Sequence, residues 1–362
     1  MSNEVKIEYN QKNMLFRRLG FSGLRVPVFS LGGWLTFGNT VTGDTVKDIV
    51  KTAIENGVCM FDEAENYAEG KSELELGRVF KELGVRRGDF VITSKVFWGT
   101  RPGPNNMGLS RKHIIEGVKE SLQRLQLEYL DIVFAHRPDT TTPVLETVRA
   151  FDWVINQGLA HYWGTSEWSA REIEEAHQIA ERYGYHAPVA EQCRHNLLAR
   201  ERAEGEYGAL YKKYNMGTTV FSALASGMLT GKGGPIHLVI PKGSRFDTNR
   251  DFFKGKDAFL QSEEGQAQIA QVKALSDLAA KELDCTVSQL ALAWVLRINP
   301  NTSTVILGCT SKSQLLENLK ALDIYPKLTQ EILGKIEAIV NNKPADLPTY
   351  GRPPLDHFVR HY

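Results

Sequence analysis

The chain has 362 residues, 42% hydrophobic and 24% charged, and its 43 basic and 43 acidic side chains cancel to no net charge. That is ordinary globular composition and argues against a large nucleic-acid footprint, so no nucleic-acid partner is expected. No stretch approaches the roughly 18 consecutive apolar residues of a membrane span, and the polar start lacks the apolar core of a secretory signal, so membrane insertion and export are not expected. Ser2 and the cysteine-free end His357 to Tyr362 predict no lipid anchor. The four cysteines (Cys59, Cys193, Cys285 and Cys309) lack short paired spacings, which predicts reduced thiols in a cytoplasmic protein.

Residues 1–14 read as a polar N-terminal extension. Leu15 to Val28 alternates around Gly20, Ser22 and Gly23, which predicts a short hairpin that closes the bottom of a barrel. Eight apolar runs follow as strands: 29–33, 59–62, 90–95, 130–136, 161–166, 189–193, 218–224 and 304–308. Helix-period stretches alternate with them at 44–56, 72–83, 111–125, 143–156, 170–183, 200–214 and 286–297. Ser110, and Thr142 before Pro143, are start signals; Gly57, Gly84, Gly158 and Gly184 are stop signals. This length also suits two domains, but eight strands alternating with helices predict one α/β (β/α)8 TIM barrel over 15–341. Between Leu224 and Thr286 a long connection runs through Gly- and Pro-containing sequence to Lys256 and then one long helix, as expected of a loop covering a ligand on the C-terminal face. The Pro-bearing segment 342–362 is expected to be an irregular tail.

Three consecutive predicted strands end on Asp62, Lys95 and His136, and Tyr67 lies five residues beyond Asp62. The C-terminal rim of such a barrel is where the fold keeps its chemistry. A tyrosine exchanging protons at neutral pH is expected to need its pKa lowered by about 2–3 units, and an ammonium ~4 Å away supplies about 4 kcal/mol at an effective dielectric of ~20. Lys95 fits that part, Asp62 keeps Lys95 charged, and His136 orients the reacting oxygen. Singly, a strand-end Asp or Lys is often half of an ion pair, and a lone His is commonly structural. Three such ends, on strands with almost no interior charge, favour a shared site.

The stretches Phe61-Asp62-Glu63-Ala64-Glu65-Asn66-Tyr67, Ile92-Thr93-Ser94-Lys95, Phe134-Ala135-His136-Arg137-Pro138-Asp139, Tyr162-Trp163-Gly164-Thr165-Ser166 and Phe221 to Lys232 resemble the aldo-keto reductases. Leu109 to Gly117 and Leu125 to Tyr129 most resemble the beta subunits of voltage-gated potassium channels within that superfamily. The resemblance implies a barrel that binds NADP(H) and passes a hydride to an aldehyde or ketone. Tyr67 falls at the general acid, Asp62 and Lys95 at the tuning pair, and His136 at the carbonyl-orienting position, where channel subunits generally carry Asn. Two further departures are Glu63, where Thr or Ser is usual, and Glu167, where channel subunits carry Arg. Strand alternation is expected to turn Glu63 away from Asp62.

No G-x-G-x-x-G occurs, and Gly227 to Lys232 is one residue short of a P-loop. The last strand runs through Cys309 and Thr310 into Ser311 and Gln314, which have capping-box spacing at a helix start beside Lys312, a phosphate-site pattern. The resemblance adds Gly308, Thr310, Gln314, Glu317 and Asn318 for the adenosine and 2′-phosphate end, with Lys232 and Arg245 near the pyrophosphate. It gives Ser166 and Gln192 to the nicotinamide carboxamide and Phe221 to ring stacking, with Gly33, Trp34, Ser222, Leu224, Ser226 and Gly227 as further cofactor contacts. Ala223 stands in place of the usual Pro. Trp34 and Trp98 are expected to line an apolar substrate pocket with Tyr67 and His136.

A redox-sensing channel subunit with little turnover is the main alternative. The short start is expected to leave no long inactivating segment. A homo-oligomer, up to a tetramer, is conceivable on the same likeness. A Schiff-base aldolase through Lys95 ranks low, because Asp62 keeps the amine charged. A metal hydrolase ranks lower, since none of the nine histidines has His-x-His or His-Glu-x-x-His spacing, and no metal site is expected.

Overall fold

A computed structural model describes residues 6–231 and 249–345. Eight parallel strands close into a barrel: β3 (Phe29–Gly32), β4 (Met60–Asp62), β5 (Val91–Val96), β6 (Leu130–Ala135), β7 (Ala160–Ser166), β8 (Ala190–Arg194), β9 (Gly217–Phe221) and β10 (Thr302–Leu307), with β10 pairing both β9 and β3. The barrel expected from alternating strands and helices is therefore the observed architecture, with each strand within about two residues of its sequence bounds except where β9 stops at Phe221.

Alternation along each strand sorts two cores. Met60, Val91, Ile132 and Phe134 fill the barrel interior, while Phe61, Ile92, Val133 and Ala135 pack outward against the helices. Continuing the inward series by twos brings Met60 to Asp62, Val91 through Thr93 to Lys95, and Phe134 to His136. One parity thus puts all three titratable groups inside the upper rim.

The expected hairpin is β1 (Phe16–Arg18) and β2 (Arg25–Pro27), paired antiparallel. Its Leu19 and Val26 join the interior cluster with Met60, Val91 and Val189, so the barrel floor is plugged by the chain's own start. Gly20 at the turn has φ +56°, and a Cβ there would lie 2.4 Å from the Val189 carbonyl oxygen.

The outer helices include α1 (Asp44–Glu55), α2 (Lys71–Leu83), α3 (Arg111–Leu125), α4 (Val144–Asn156) and α5 (Ala170–Tyr183). Ser110 caps α3 by accepting from His113 N, whereas Thr142 is no cap: its hydroxyl donates to Asp139, and Pro143 holds the cap position of α4. The helix expected over 200–214 is two pieces, a π-helical turn Glu201–Glu206 and α6 (Gly208–Tyr214). Buried Arg200, tied to Glu204 and to Glu337 of the C-terminal helix, anchors the first piece, and Tyr207 between them turns its hydroxyl to the Trp168 carbonyl. The single helix expected after Lys256 is also two, Lys256–Gln261 and Glu263–Leu278, broken where the Ser262 side chain accepts from Gly265 N. Of the expected tail, residues 342–345 are described and irregular; Asn342 donates to the Leu197 carbonyl.

Candidate active site

Asp62, Tyr67, Lys95 and His136 meet at the C-terminal rim, each no more than 8% exposed. Lys95 is wholly buried, and its Nζ donates to Asp62 Oδ2 at 2.7 Å, to the Glu63 carbonyl oxygen at 2.6 Å and to the Tyr67 hydroxyl at 3.1 Å. Thr93 and Gln192 donate to the other oxygen of Asp62, at 2.7 and 3.0 Å. The carboxylate is thereby fixed at both oxygens, and three acceptors meet the three protons of the ammonium. The Tyr67 and His136 rings stand edge to face with centroids 5.8 Å apart.

Tyr67 owes its place to strained backbone: Ala68 and Glu69, directly after it, both take left-handed conformations at φ 50° and 58°. Such residues cost about 1–3 kcal/mol each and persist only where their surroundings hold them.

Burial dominates the electrostatics. It pulls the Lys95 ammonium down, but Asp62 and Tyr67 more than reverse this, so Lys95 stays charged. Burial pushes the Tyr67 phenol up, Lys95 opposes it and Asp62 and Glu63 add to it, so the phenol stands above its ordinary value and the expectation of an acidic resting tyrosine fails. A dry site penalises the phenolate before any reaction begins. Burial, with Lys95 and Arg137, holds His136 well below the ordinary histidine value, leaving a neutral imidazole whose Nδ1 has no partner.

Tyr67, Asp62 and His136 open onto a cavity of about 1100 Å³. Ser166 and Phe221 line it at the ends of β7 and β9 and Gln192 from within β8; Ser222, Leu224, Ser226 and Gly227 line it along the turn after β9. That turn is also strained, with positive φ at Ser222, Ala225 and Ser226, and Asn196 donates to the Ser222 carbonyl at 2.9 Å. Gly308, Thr310, Gln314, Glu317 and Asn318 bound the cavity around the start of the helix Lys312–Leu319, while Trp34 and Trp98 line it as well.

Two expectations are corrected here. Gly32 rather than Gly33 lines the cavity; Gly33 packs away from it, where a Cβ would sit 2.4 Å from a Glu63 carboxyl oxygen. Ser311 and Gln314 make half a capping box: Ser311 accepts from Gln314 N, but the Gln314 side chain turns to Thr310 N instead of the Ser311 backbone. Gln192, expected to reach a cofactor, lines the cavity and also donates its side-chain amide to Asp62. Lys232 and Arg245 lie outside the described residues.

Sequence reasoning missed Arg137, whose guanidinium donates to the His136 carbonyl and to Ser166 Oγ, although it directly follows the inward-facing histidine. It also missed Asn249 and Phe252 of the long connection, and Val272 and Lys273 on the helix Glu263–Leu278, because a helix period shows that a face is apolar and not that it packs against the rim. Trp34 and Phe252 meet edge to face at 5.2 Å. Glu63 is buried beside Gly33 with Oε2 unpartnered, and burial raises its carboxyl well above the ordinary range. Glu167 turns its side chain to Arg194 N and stands 3.8 Å from Arg202.

These residues fit a nicotinamide dinucleotide. One cavity takes in both the Tyr67 rim and the start of the helix Lys312–Leu319, and its lining includes the Phe221 ring and the Ser166 hydroxyl, which suit a nicotinamide and its carboxamide.

The aldo/keto reductase family model matches residues 29–341. A protein of Oryza sativa subsp. japonica named "Probable voltage-gated potassium channel subunit beta" is 45% identical over 337 residues, 93% of this chain and 100% of the relative. A protein of Arabidopsis thaliana with the same name is 44% identical over 93% of this chain and 100% of its own length. One of Schizosaccharomyces pombe, likewise named for a voltage-gated potassium channel subunit beta, is 48% identical over 94% of this chain and 97% of its own.

Proposed function

Because the chain belongs to the aldo/keto reductase family and is an oxidoreductase of that type, we propose that it is an NADP(H)-dependent carbonyl reductase acting on an aldehyde or ketone, with Tyr67 as general acid. The observation that carries this reading is the Lys95 ammonium, held by Asp62 and 3.1 Å from a Tyr67 hydroxyl that faces the cavity. A bound nicotinamide dinucleotide supplies the hydride for the carbonyl carbon. Ser166, Phe221 and the 308–318 segment hold the cofactor along the cavity, and Trp34 and Trp98 wall the substrate side.

A buried phenol is a weaker acid than a free one, so its proton transfer depends on the charge beside it. At rest, burial keeps the proton on Tyr67. As the carbonyl oxygen gains charge the proton leaves, and the phenolate left behind meets an ammonium at 3.1 Å, a contact of about 5 kcal/mol at an effective dielectric of about 20. Neutral His136 donates a hydrogen bond to the same oxygen without competing for its proton. The four cysteines, without paired short spacings, support a cytoplasmic setting.

The test is NADPH oxidation against a panel of aromatic and aliphatic aldehydes and ketones, with Tyr67→Phe as the blank. Tyr67→Phe is expected to lower kcat by about 10²–10⁴ with cofactor affinity nearly unchanged. Full turnover in that variant removes Tyr67 from the mechanism.

The relatives' names favour a second reading, a potassium-channel-associated subunit, which on this chain would use its dinucleotide cavity to sense redox state with little turnover. Co-purification with a membrane channel, together with negligible turnover of every carbonyl, would put this reading first.

A further inference from the structure

Trp98 lines the cavity while 43% exposed, and its indole meets the neighbouring Phe97 ring edge to face at 4.8 Å. A ring this open is placed mainly by its backbone. That backbone is pinned on both sides by one atom: Glu65 Oε1 accepts from Phe97 N at 2.7 Å and from Gly99 N at 2.8 Å. The His113 imidazole, from α3, lies 3.1 Å from the same oxygen. Glu65 is 2% exposed, and α3 approaches so closely that a Cβ on Gly117 would lie 2.8 Å from Glu65 Oε2.

Glu65 also belongs to the segment that carries the proton donor. It is two residues before Tyr67, and its own N–H donates to the Lys95 carbonyl at 3.2 Å. One buried carboxylate therefore spans from the Asp62–Tyr67 segment to the loop bearing Trp98. Hydrogen bonds to a charged acceptor are the strong class, and three donors on one oxygen leave it little freedom.

We propose that Glu65, backed by His113, is a positioning residue that sets the distance between the Tyr67 hydroxyl and the Trp98 wall and so determines which carbonyl compounds the site accepts. This rests on the reductase reading. With the wall held, a flat aromatic aldehyde lies against Trp98 while its carbonyl meets Tyr67; a small aliphatic aldehyde needs no wall.

The experiment compares kcat and KM for 2-naphthaldehyde and propanal in the full-length protein carrying Glu65→Ala, Trp98→Ala, both together, or Glu65→Gln. Glu65→Ala is expected to raise KM for 2-naphthaldehyde about ten-fold or more while leaving propanal within about three-fold. The effect should vanish in the Trp98→Ala background, because Glu65 acts through that ring, and Glu65→Gln, which keeps an acceptor, should restore the wild-type ratio. A folded Glu65→Ala protein with the wild-type ratio, or an equal loss in both backgrounds, overturns the proposal. If Glu65→Ala does not fold, His113→Ala removes one donor of three and should shift the same ratio by about three-fold; no shift overturns the proposal. Amide exchange at Phe97 and Gly99 reads the pinning without turnover. It should accelerate in whichever variant folds, and unchanged exchange overturns the proposal, whereas a wild type inactive on every carbonyl with accelerated exchange in the variant sinks the reductase reading alone.

Discussion

At the scale of single residues, the site separates groups that keep their protons from one that is held neutral. Lys95 is held charged by Asp62, Tyr67 is held protonated by burial, and His136 is held neutral by burial with Lys95 and Arg137 beside it. Glu63 adds a fourth buried group with no evident partner for Oε2, and its carboxyl is raised by burial, with Asp62 and Glu73 adding to the effect and Ser72 and Lys95 opposing it. The folded state keeps a proton on Glu63 that the unfolded chain loses above about pH 4.5, so this group's contribution to stability is complete below that pH and is lost as pH rises toward the folded value. Glu63→Gln, which cannot ionise, should therefore gain on the wild type by up to about 1.4 kcal/mol per pH unit as pH rises from about 4.5 toward the folded value, read in urea melts. Parallel stability curves for the two proteins would show that Glu63 is ionised in the fold.

At the scale of elements, caps account for where several helices begin. Thr286 and Gln289 form a reciprocal capping box at the helix Val287–Ile298, and Ser169 with Glu172 does the same for α5. The Thr286 helix also carries Ser288 and Leu292 in the cavity wall, and its Gln289 side chain donates to the Glu317 carbonyl beside the segment assigned to the adenosine end. Thr286→Ala should cost about 1 kcal/mol of unfolding free energy and weaken NADPH binding, whereas Ser169→Ala, at a helix without cavity residues, should cost a similar amount of stability with cofactor affinity unchanged. Calorimetry paired with NADPH titration checks both. The start of α3 was legible because Ser110 sits directly before a periodic run. The π-helical turn inside 200–214 was not, and Arg200 at its start is held by Glu337, a partner 137 residues further along the chain.

At the scale of the whole molecule, the barrel is closed below by the hairpin, and described residues of the long connection such as Phe252 and Val272 line the cavity above. Leu19 and Val26 complete an interior layer that the strands do not fill by themselves, and Arg17 donates to the carbonyls of Thr302 and Leu296. Gly20 makes this approach possible: any side chain would meet Val189, and its φ disfavours one in any case. Gly20→Ala should lower stability by about 1–3 kcal/mol, read as a lower thermal midpoint, with KM for the carbonyl substrate unchanged because the plug and the active site occupy opposite ends of the barrel. A wild-type midpoint would mean the hairpin does not bear on the fold.

The order of strands and helices, the barrel they form and the meeting of Asp62, Lys95 and His136 at one rim were determined locally, since a period of two along each strand dictates which residues face inward and where each inward row ends. The protonation of Tyr67 was decided only in three dimensions, because burial is a property of everything packed around a group and here outweighs its nearest charge. The same holds for Gly33 turning toward Glu63, for the cavity walls from the long connection, and for Glu65 reaching Phe97, Gly99 and His113. Each depends on segments distant in sequence approaching within hydrogen-bond or contact distance, and no periodicity along the chain encodes such an approach.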